Sequence, residues 1–567
     1  MHLFGTHRSA LARLRLARRA DLGAGNFFWH TCAVATDLDR PLLYRRESTG
    51  LTGHSLAELR DRVLRYANWY RANGVRPGTR VGVHTVDGLA GLLHHVAITS
   101  LGGATVLTNP NMAAATARDY FQRAETELLV ADARLIAATY PDGGGPRPHS
   151  LSTVEQEAVD TGQAPGHPYA NRDDDVILVS HSSGTTGIPK PATFAHRSFA
   201  AGKKERLWNF PSARSDRMLT ALPQSHSSGI SYLSLAIMLG LPTLLVDDQS
   251  GAAVAEAMNA FEPTVVLGFP ITLADLPIGA LTERARSGVH TWMGMGDASH
   301  ERHIRPLVRI GRTRARGGWT TGSTYVDGLG SSEMGMVLFK VPHTADSDNY
   351  GRLIGRPVAV VESAAALDPT GREVPTGAAG LLGVRTPSAT PGYDNDPELT
   401  ERATLNGYFL TGDVVSQDAE GNFYHLDRTP DVITTAAGAV HSLPVEEVVL
   451  TETGAFDAAV VAADDPAGQA SLPVAVVLFN DGTPVDPDEL LRRCNTALER
   501  AGLAPLAALV VAADRAGLPV GVTGKVLKRV LRETHRDLLR GKPPADVAHS
   551  RTRSPEDEPG GVTAWRH

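Results

Sequence analysis

A short loop rich in glycine and hydroxyl residues, at positions 182–190, constrains this sequence more than any other feature. It has the sequence SSGTTGIPK and follows the apolar run 176–179, a pattern typical of a buried strand that leads into a loop. Gly184 and Gly187 allow the backbone to bend where a side chain would collide. Loop amides, hydroxyl groups and the ammonium of Lys190 together favour a bound polyphosphate. The loop is not of the Walker type, because the pattern GxxxxGK[ST] occurs nowhere in the chain.

Lysine is scarce in this chain, and its placement supports a functional interpretation of the loop. No lysine precedes Lys190, and Lys525 follows a glycine near the C-terminus. Arginine supplies most of the positive charge, but it cannot easily replace a compact ammonium that must reach a small target. We therefore treat both lysines as candidate phosphate or substrate ligands, with chance placement on the surface as the alternative.

Composition limits the function classes that the chain can serve. Its 567 residues allow several domains, and its net charge of −7 gives no electrostatic footprint for nucleic acid. Cys32 and Cys494 are its only cysteines, too few for a disulfide framework, so we expect a reduced, cytoplasmic protein. No apolar run approaches the ~20 residues that span a bilayer. The arginine-rich stretch 8–19 predicts an amphipathic surface helix and lacks the features of a secretory signal.

The order of predicted elements indicates an α/β fold. Ser55 and Glu58 form a capping-box pattern ahead of a helix, and strands and helices alternate from there to about residue 350. Residues 351–427 change to short strands with Gly/Pro turns. We predict a large N-terminal domain, 1–427, of two α/β sheet subdomains plus a small β-barrel. A small α+β C-terminal domain, 428–540, and a disordered tail, 541–567, follow.

The loop at 182–190 resembles the phosphate-loop signature of the adenylate-forming superfamily, which includes acyl-CoA synthetases, peptide-synthetase adenylation domains and luciferases. The resemblance covers roughly residues 40–535 and is specific because five motifs occur in the family's order. Besides the loop, these are ANGVRPG with Arg80-Val81 (72–81), GLGSSE (328–333), YFLTGD (408–413) followed by Arg428, and PVGVTGKVLKR (519–529).

The resemblance implies ATP, AMP, Mg²⁺ and coenzyme A as ligands, and a reaction in two halves. A carboxylate attacks the α-phosphate of ATP, and a thiol then attacks the acyl-adenylate. Glu333, with Thr185, would hold the metal, and Lys525 would bridge the carboxylate and the α-phosphate. The expected nucleotide and coenzyme ligands are Ser182, Ser183, Gly184, Thr185, Thr186, Gly187, Lys190, Gly330, Ser331, Ser332, Asp413, Arg428 and, beside the pantetheine path, Gly438.

The resemblance also assigns a substrate pocket, whose apolar character favours a bulky hydrophobic acid. His226 would gate this pocket and is a third candidate catalytic residue beside Lys525 and Glu333; a hydrogen-bonded loop histidine is the alternative. The expected lining residues are His226, Ile230, Met295, Gly296, Asp297 and Leu329.

Three positions depart from the family's pattern. Leu329 replaces the aromatic ring that usually stacks on adenine, and Pro191 replaces a glycine after Lys190. Pro430 lies at the hinge about which the family's C-terminal domain rotates between the two half-reactions. Because proline fixes φ near −65°, this hinge has fewer conformations available. The departures keep open an enzyme that favours thioester formation.

The sequence therefore predicts an acyl-CoA ligase that activates a bulky hydrophobic carboxylic acid. Three alternatives remain: a specialised ligase that uses preformed acyl-adenylate, a loader of carrier proteins, and a non-catalytic nucleotide-binding pseudo-ligase. We expect no nucleic-acid partner and no membrane span, and the sequence is compatible with a homodimer.

Overall fold

The structure, a computed structural model, describes residues 9–159, 168–181, 189–210, 215–315, 318–468, 470–480, 485–521 and 524–541. Residues 182–188 of the predicted phosphate loop lie outside the described residues. So does the predicted disordered tail, apart from Gly541.

The first part of the chain builds a six-stranded sheet, in the order β6-β5-β3-β4-β7-β8, with all pairs parallel except the last. The elements are α1 (Ala10–Ala17), α2 (Phe27–Val34), β1 (Pro41–Glu47), β2 (Gly50–Ser55), α3 (Leu56–Ala72), β3 (Arg80–His84), α4 (Gly88–Thr99), β4 (Ala104–Leu107), α5 (Ala114–Arg123), β5 (Leu128–Ala131), α6 (Ala133–Thr139), β6 (Arg147–Ser150), α7 (Leu151–Glu157), β7 (Val176–His181) and β8 (Pro191–Ala195).

Helix α3 shows how local sequence sets an element. The Ser55 hydroxyl accepts from the Glu58 amide, and the Glu58 carboxylate accepts from the Ser55 amide, so the predicted capping box is present. Leu59, Val63 and Tyr66 then recur on the buried face. The predicted strand before the phosphate loop is also confirmed, since β7 is buried from Ile177 onward.

The middle of the chain forms the parallel half of a larger sheet, in which β1 and β2 return to the edge beside β10. Its elements are α8 (Ser198–Asn209), β9 (Met218–Thr220), α9 (Ser227–Leu239), β10 (Thr243–Leu245), α10 (Gly251–Phe261), β11 (Val265–Gly268), α11 (Pro270–Ala274), α12 (Glu283–Gly288), β12 (Thr291–Met295), α13 (Glu301–Val308), β13 (Arg312–Ala315), β14 (Gly318–Thr321), β15 (Thr324–Leu329) and β16 (Phe339–His343).

The β-rich segment continues this sheet in antiparallel fashion through the pair β16–β17. The pairing changes from parallel to antiparallel at β15–β16, slightly before residue 351, where the sequence predicted a change in character. Its elements are β17 (Leu353–Pro357), β18 (Ser363–Leu367), β19 (Gly380–Arg385), α14 (Pro397–Arg402), β20 (Thr404–Leu405), β21 (Tyr408–Gln417) and β22 (Phe423–Arg428).

The last part of the chain has its own three-stranded sheet, in the order β25-β26-β27, and its own apolar core. The fold class is thus α/β with a large sheet-rich part and a smaller C-terminal part, as predicted; the boundary at residue 427 stays a prediction. The elements are β23 (Ile433–Thr435), β24 (Gly438–Val440), α15 (Ser442–Thr453), β25 (Asp457–Asp464), β26 (Ser471–Leu478), α16 (Pro487–Arg500), β27 (Ala508–Ala512) and α17 (Lys528–His535).

The C-terminal part docks on the large part through buried polar contacts. His300 Nδ1 lies 2.8 Å from Glu447 Oε2, and His303 Nε2 lies 2.7 Å from the Phe456 carbonyl. Arg515 also forms an ion pair with Asp275 at 2.5 Å. A search of the described helices found none with the length and apolar character needed to cross a bilayer.

Candidate active site

A cavity of about 500 Å³ lies where the large sheet, the β-rich segment and the C-terminal part meet. It opens at the carboxyl ends of the parallel strands β12 and β15, the edge at which open α/β sheets bind ligands. The predicted site residues that line it are Lys190, His226, Met295, Gly296, Gly330, Ser331, Ser332, Glu333, Arg428, Pro430 and Lys525. Residues more than 300 positions apart in sequence thus reach one site.

A narrower cavity of about 90 Å³ adjoins the first and shares Lys525, Arg428 and Gly330 with it. The remaining predicted residues Asp297, Leu329 and Asp413 line this second cavity. It is bordered on the C-terminal side by carboxylates that include Glu446.

Asp413 and Arg428 form the best-defined polar pair of the site. They lie opposite each other in the β21–β22 ladder, and their Oδ1 and Nε atoms are 3.3 Å apart. Neither of these buried atoms has a hydrogen-bond partner among the described residues. An acceptor and a donor that are paired by charge but not hydrogen-bonded, side by side in a cavity wall, fit the two hydroxyl groups of a ribose.

The surroundings of Asp413 keep it ionised. Burial alone would raise its pKa, but the charge of Arg428 and the nearby polar side chains of His425 and Thr411 hold the pKa well below its usual range. His425 Nε2 lies 3.4 Å from Asp413 Oδ1. The carboxylate is therefore available as an acceptor for a ligand at any pH near neutrality.

Glu333 is oriented by a tyrosine that the sequence did not single out. The Tyr393 hydroxyl donates to Glu333 Oε1 at 3.0 Å, and the ring of Tyr393 lies 5.8 Å from Lys190 Nζ. Burial and the charge of Glu333 raise the pKa of Tyr393, so its hydroxyl stays protonated and can only donate to Glu333. One sequence signal was present: Tyr393 follows a Pro-Gly turn just after β19.

Lys525 comes from the C-terminal part and lines both cavities. A Cβ atom on the preceding Gly524 would lie 3.1 Å from the Phe269 ring, so the lysine loop packs tightly against the large part. Burial and the charge of Arg428 lower the pKa of Lys525, whereas Asp297 and the other site carboxylates oppose that shift. Lys525 is thus surrounded by both positive and negative side chains.

His226 lies between the cavity and the protein interior. Its Nδ1 accepts from the Ser228 amide at 3.3 Å, and its Nε2 lies 3.4 Å from Ser332 Oγ. Burial, with the nearby His181 and Lys525, lowers the pKa of His226 to about 3. The ring is therefore neutral, and with Nδ1 as acceptor its Nε2 carries the proton and points to Ser332. Its predicted role as a gate stays a prediction.

Two other predicted residues, Ile230 and Gly438, lie away from the cavity, whereas Pro430 is part of its lining. Ile230 is fully buried in the main apolar core and is not among the lining residues. Gly438 begins the exposed hairpin strand β24, and a Cβ atom there would meet no atom within 4 Å. The hinge residue Pro430 accepts a hydrogen bond from Arg532 at 3.0 Å through its carbonyl. The roles of these residues stay predictions, as do those of 182–188.

The residues present suit magnesium bound together with a nucleotide. In the part of the chain that the structure describes, no group of three or more His, Cys, Asp or Glu residues could hold a metal by itself. Magnesium is usually held by one or two carboxylates together with substrate phosphates and water. Glu333, which lines the cavity and accepts from Tyr393 through Oε1 only, matches that requirement among the described residues.

Comparisons with known proteins agree with this geometry. A family model described as AMP-binding enzyme matches residues 31–394. A 3-aminoavenalumate diazotase from a Streptomyces species is 35% identical over 549 residues, covering 92% of this chain and 97% of that protein. A feruloyl-CoA synthase from an Amycolatopsis species is 30% identical over 504 residues, covering 85% and 94%. The structure of ATP-bound MatB from Rhodopseudomonas palustris has a TM-score of 0.76 at 23% identity, covering 91% of this chain and 99% of MatB.

The fold and the site together define an enzyme of the adenylate-forming superfamily. The chain belongs to the AMP-binding enzyme family, in its acyl-CoA ligase branch. The resemblance drawn from five sequence motifs is thereby confirmed.

Proposed function

We propose that the chain activates a bulky hydrophobic carboxylic acid as its acyl-adenylate and transfers the acyl group to coenzyme A. The observation that carries this proposal is that Lys525 from the C-terminal part and Glu333 from the large sheet line the same cavity. A carboxylate and a polyphosphate repel each other, so a site that joins them needs positive charge. Lys525, Arg428 and Lys190 supply that charge at the cavity wall.

Each side chain then has a defined task in the first half-reaction. Asp413 accepts from the ribose hydroxyls, and Arg428 donates to them, which fixes the nucleotide. Lys525 binds a carboxylate oxygen and an α-phosphate oxygen together and so reduces their repulsion as the new bond forms. Glu333 would hold magnesium, whose charge, when bound, stabilises the departing pyrophosphate.

In the second half-reaction the coenzyme A thiol attacks the acyl carbon and AMP leaves. The exposed Gly438 leaves room for a thin pantetheine arm beside the backbone. Pro430, tied to the C-terminal part through Arg532, would limit rotation between the two half-reactions. A ligase that favours thioester formation therefore remains an alternative to the complete ligase. Carrier-protein loading and non-catalytic nucleotide binding are the other two alternatives.

A second candidate differs in the nucleophile and is favoured by the 35% likeness to a diazotase over nearly the whole of both chains. A diazotase converts an amine to a diazonium group. In an adenylating site, a nitrite oxygen would attack the α-phosphate and release pyrophosphate. The amine nitrogen would then attack the nitrite nitrogen with loss of AMP and a proton. The N-nitroso product, as its diazohydroxide tautomer, would take up a proton and lose water to leave the diazonium ion. The tasks of Lys525 and Asp413 toward ATP are the same in both candidates.

One set of assays separates the candidates. Purified protein with ATP and magnesium is supplied either with a panel of aryl and fatty acids plus coenzyme A, or with nitrite plus aromatic amines. Pyrophosphate release and an acyl-CoA product are expected under the first candidate. Nitrite-dependent pyrophosphate release and an azo dye after coupling to a naphthol identify the second.

A further arm tests whether the chain performs adenylation at all. If neither panel releases pyrophosphate, but synthetic acyl-adenylate with coenzyme A gives thioester, the complete-ligase proposal is wrong and the thioester-forming variant stands. If no arm gives product, the catalytic proposal is wrong and the non-catalytic alternative gains support.

A further inference from the structure

Helix α8 carries two basic residues into the protein interior. The side chains of Lys203 and Arg206 belong to residues that are only 2% and 8% exposed, and they lie three positions apart on one face of the helix. Buried lysine and arginine are normally paired with a carboxylate. Across the described residues, neither side chain forms an ion pair with an acidic group.

The contacts that these side chains do make are neutral. Lys203 Nζ donates to the Phe199 carbonyl and lies 3.5 Å from the centroid of the Phe199 ring. Arg206 donates to the Gly202 carbonyl at 3.1 Å and to the Val337 carbonyl at 2.7 Å. Carbonyl oxygens and an aromatic face offset only part of the cost of burying two positive charges.

His95, a titratable neighbour of Lys203, does not supply the missing negative charge. Burial and the charge of Lys203 lower the pKa of His95 to about 3, so this ring is neutral. Burial and the charge of Arg206 lower the pKa of Lys203 well below its ordinary value. The region therefore carries an excess of positive or proton-donating groups.

Helix α9, which packs against α8, adds two buried hydroxyl groups to this region. The buried Ser231 hydroxyl has no hydrogen-bond partner among the residues that the structure describes, and the buried Tyr232 hydroxyl lies beside the Val337 backbone. Tyr232 is close enough to Arg206 for the guanidinium to affect its pKa. In the described part of the chain, the hydrogen bonds of Lys203 and Arg206 go to carbonyl oxygens and a thioether, so both keep N–H donors for a charged acceptor from outside the protein.

This donor group lies directly behind the wall of the active-site cavity. Arg206 contacts Met336 Sδ at 3.8 Å and the Val337 carbonyl, and both Met336 and Val337 line the 500 Å³ cavity. Lys203 lines a separate space of about 10 Å³, which has room for about one water molecule. Met336 thus lies between Arg206 and the cavity, and methionine repacks easily.

We propose that Lys203 and Arg206 bind a carboxylate of the substrate, different from the group that reacts beside Lys525. The inference rests on the proposed adenylation and names its substrate class: a molecule with a reacting group at one end and a carboxylate at the other. Under the ligase candidate this is an aromatic or long-chain acid with a second carboxylate. Under the diazotase candidate it is an aromatic amine that bears a carboxylate. In both, Met336 turns aside when the carboxylate enters.

The test uses probe pairs that differ only in this carboxylate. The ligase assay takes terephthalate and its monomethyl ester, and the nitrite assay takes 3-aminocinnamate and its methyl ester. We expect the wild-type enzyme to prefer the free carboxylate in whichever assay shows turnover. Lys203→Met should raise KM for that probe about 10–100-fold and leave KM and kcat for the ester within about threefold.

Two further variants control for charge and for position. Lys203→Arg keeps the positive charge and should keep most of the preference. Lys204→Met changes the next residue, whose ammonium donates to the Arg19 carbonyl at 2.9 Å, and should leave both KM values unchanged. Equal changes in KM for the two members of a pair in Lys203→Met would overturn the proposal, as would a wild-type enzyme without preference.

Stability and binding give readouts that do not depend on turnover. Because Lys203→Met removes a buried amine that has no carboxylate partner among the described residues, it should raise the melting temperature of the free protein. A structural role for the lysine predicts a fall, which would overturn the proposal. In calorimetry with ATP present, at least one of the two probes, terephthalate for the ligase candidate or 3-aminocinnamate for the diazotase candidate, should bind to wild-type protein at least tenfold more tightly than to Lys203→Met. If that difference is found while no probe releases pyrophosphate, the subsite stands and the adenylation proposal fails. Equal binding to both proteins overturns the subsite.

Discussion

Two pairs of cations lie on either side of the same cavity wall, and they differ in what surrounds them. Lys525 and Arg428 face the cavity among carboxylates that include Asp413 and Glu333. Lys203 and Arg206 lie behind the wall among carbonyl groups, a thioether and an aromatic ring.

The difference shows which part of the site is complete without its ligand. At the nucleotide end the protein balances its own charges, so ATP exchanges one set of polar contacts for another. Behind Met336 the protein leaves positive charge unbalanced, so an anionic ligand would gain more from each contact there. The nucleotide end is built from the motifs that this chain shares with its family, whereas the second pair belongs to no such motif. Substrate choice is therefore expected to depend on the second pair.

The largest effect should come from removing the lysine at the balanced end. Lys525→Ala takes away the charge that lies between the acid and the α-phosphate, so pyrophosphate release should fall about 10²–10³-fold. Thioester formation from synthetic acyl-adenylate and coenzyme A should change by less than about fivefold. Lys340→Ala, at an exposed position on β16, is the matched control and should leave both rates unchanged. Unchanged pyrophosphate release in Lys525→Ala would mean that this lysine has another role.

A smaller effect is expected from breaking the charge balance at the ribose pair. Asp413→Asn removes the negative charge beside Arg428 and leaves the buried guanidinium without its ion pair. We expect KM for ATP to rise about 10–50-fold, equivalent to about 1.5–2.5 kcal/mol, with a smaller change in kcat. Measuring initial rates against ATP concentration tests this, with the exposed Glu420→Gln on the same hairpin as the control. A fall in kcat without a change in KM would contradict a role in holding the ribose.

Motifs with a local physical signature were predictable from the sequence. The capping box of α3 needs only Ser55 and Glu58, and a run of β-branched residues is enough to indicate β7. Asp413 and Arg428 were assigned to one ligand, and the ladder of β21 and β22 places them opposite each other. In these cases the residues that determine the feature are neighbours in sequence or belong to one hairpin.

Features that depend on distant packing were not predictable in the same way. Tyr393 acquires its role only because the turn after β19 folds onto Glu333. Phe199, Lys203 and Arg206 are spaced by four and three residues, so a helical pattern places them on one face. The sequence does not tell whether that face meets solvent or protein, and for basic residues solvent is the usual outcome. Only the packing of α8 against α9 shows that these two are enclosed.

A buried acidic residue, Asp457, can be compared with the two pairs of cations. Asp457 begins β25 and lines the 90 Å³ cavity at the contact between the two parts of the chain. Burial raises its pKa from 3.8 to about 7, although the nearby His300 opposes the shift. Here too the protein leaves a charge incompletely balanced, but the group can become neutral by taking up a proton.

The smallest expected effect is therefore a change in how stability depends on pH. Because the folded protein binds this proton more tightly than the unfolded chain, stability contributed by neutral Asp457 is present at pH 4 and is lost as pH rises through about 7. Asp457→Asn keeps the neutral form at every pH. The variant should match wild type near pH 4 and become progressively more stable than wild type up to about pH 7, with a difference of about 1–2 kcal/mol at pH 8.5 once water entering the cavity is allowed for. Thermal unfolding across this range measures the difference, and Asp464→Asn, near the other end of the same strand, is the control.

The titration of His300 occurs in both proteins, so its effect on stability largely cancels in the difference. Parallel pH profiles for the two proteins would show that Asp457 is already charged at neutral pH. They would also show that the cavity holds more water than its lining suggests.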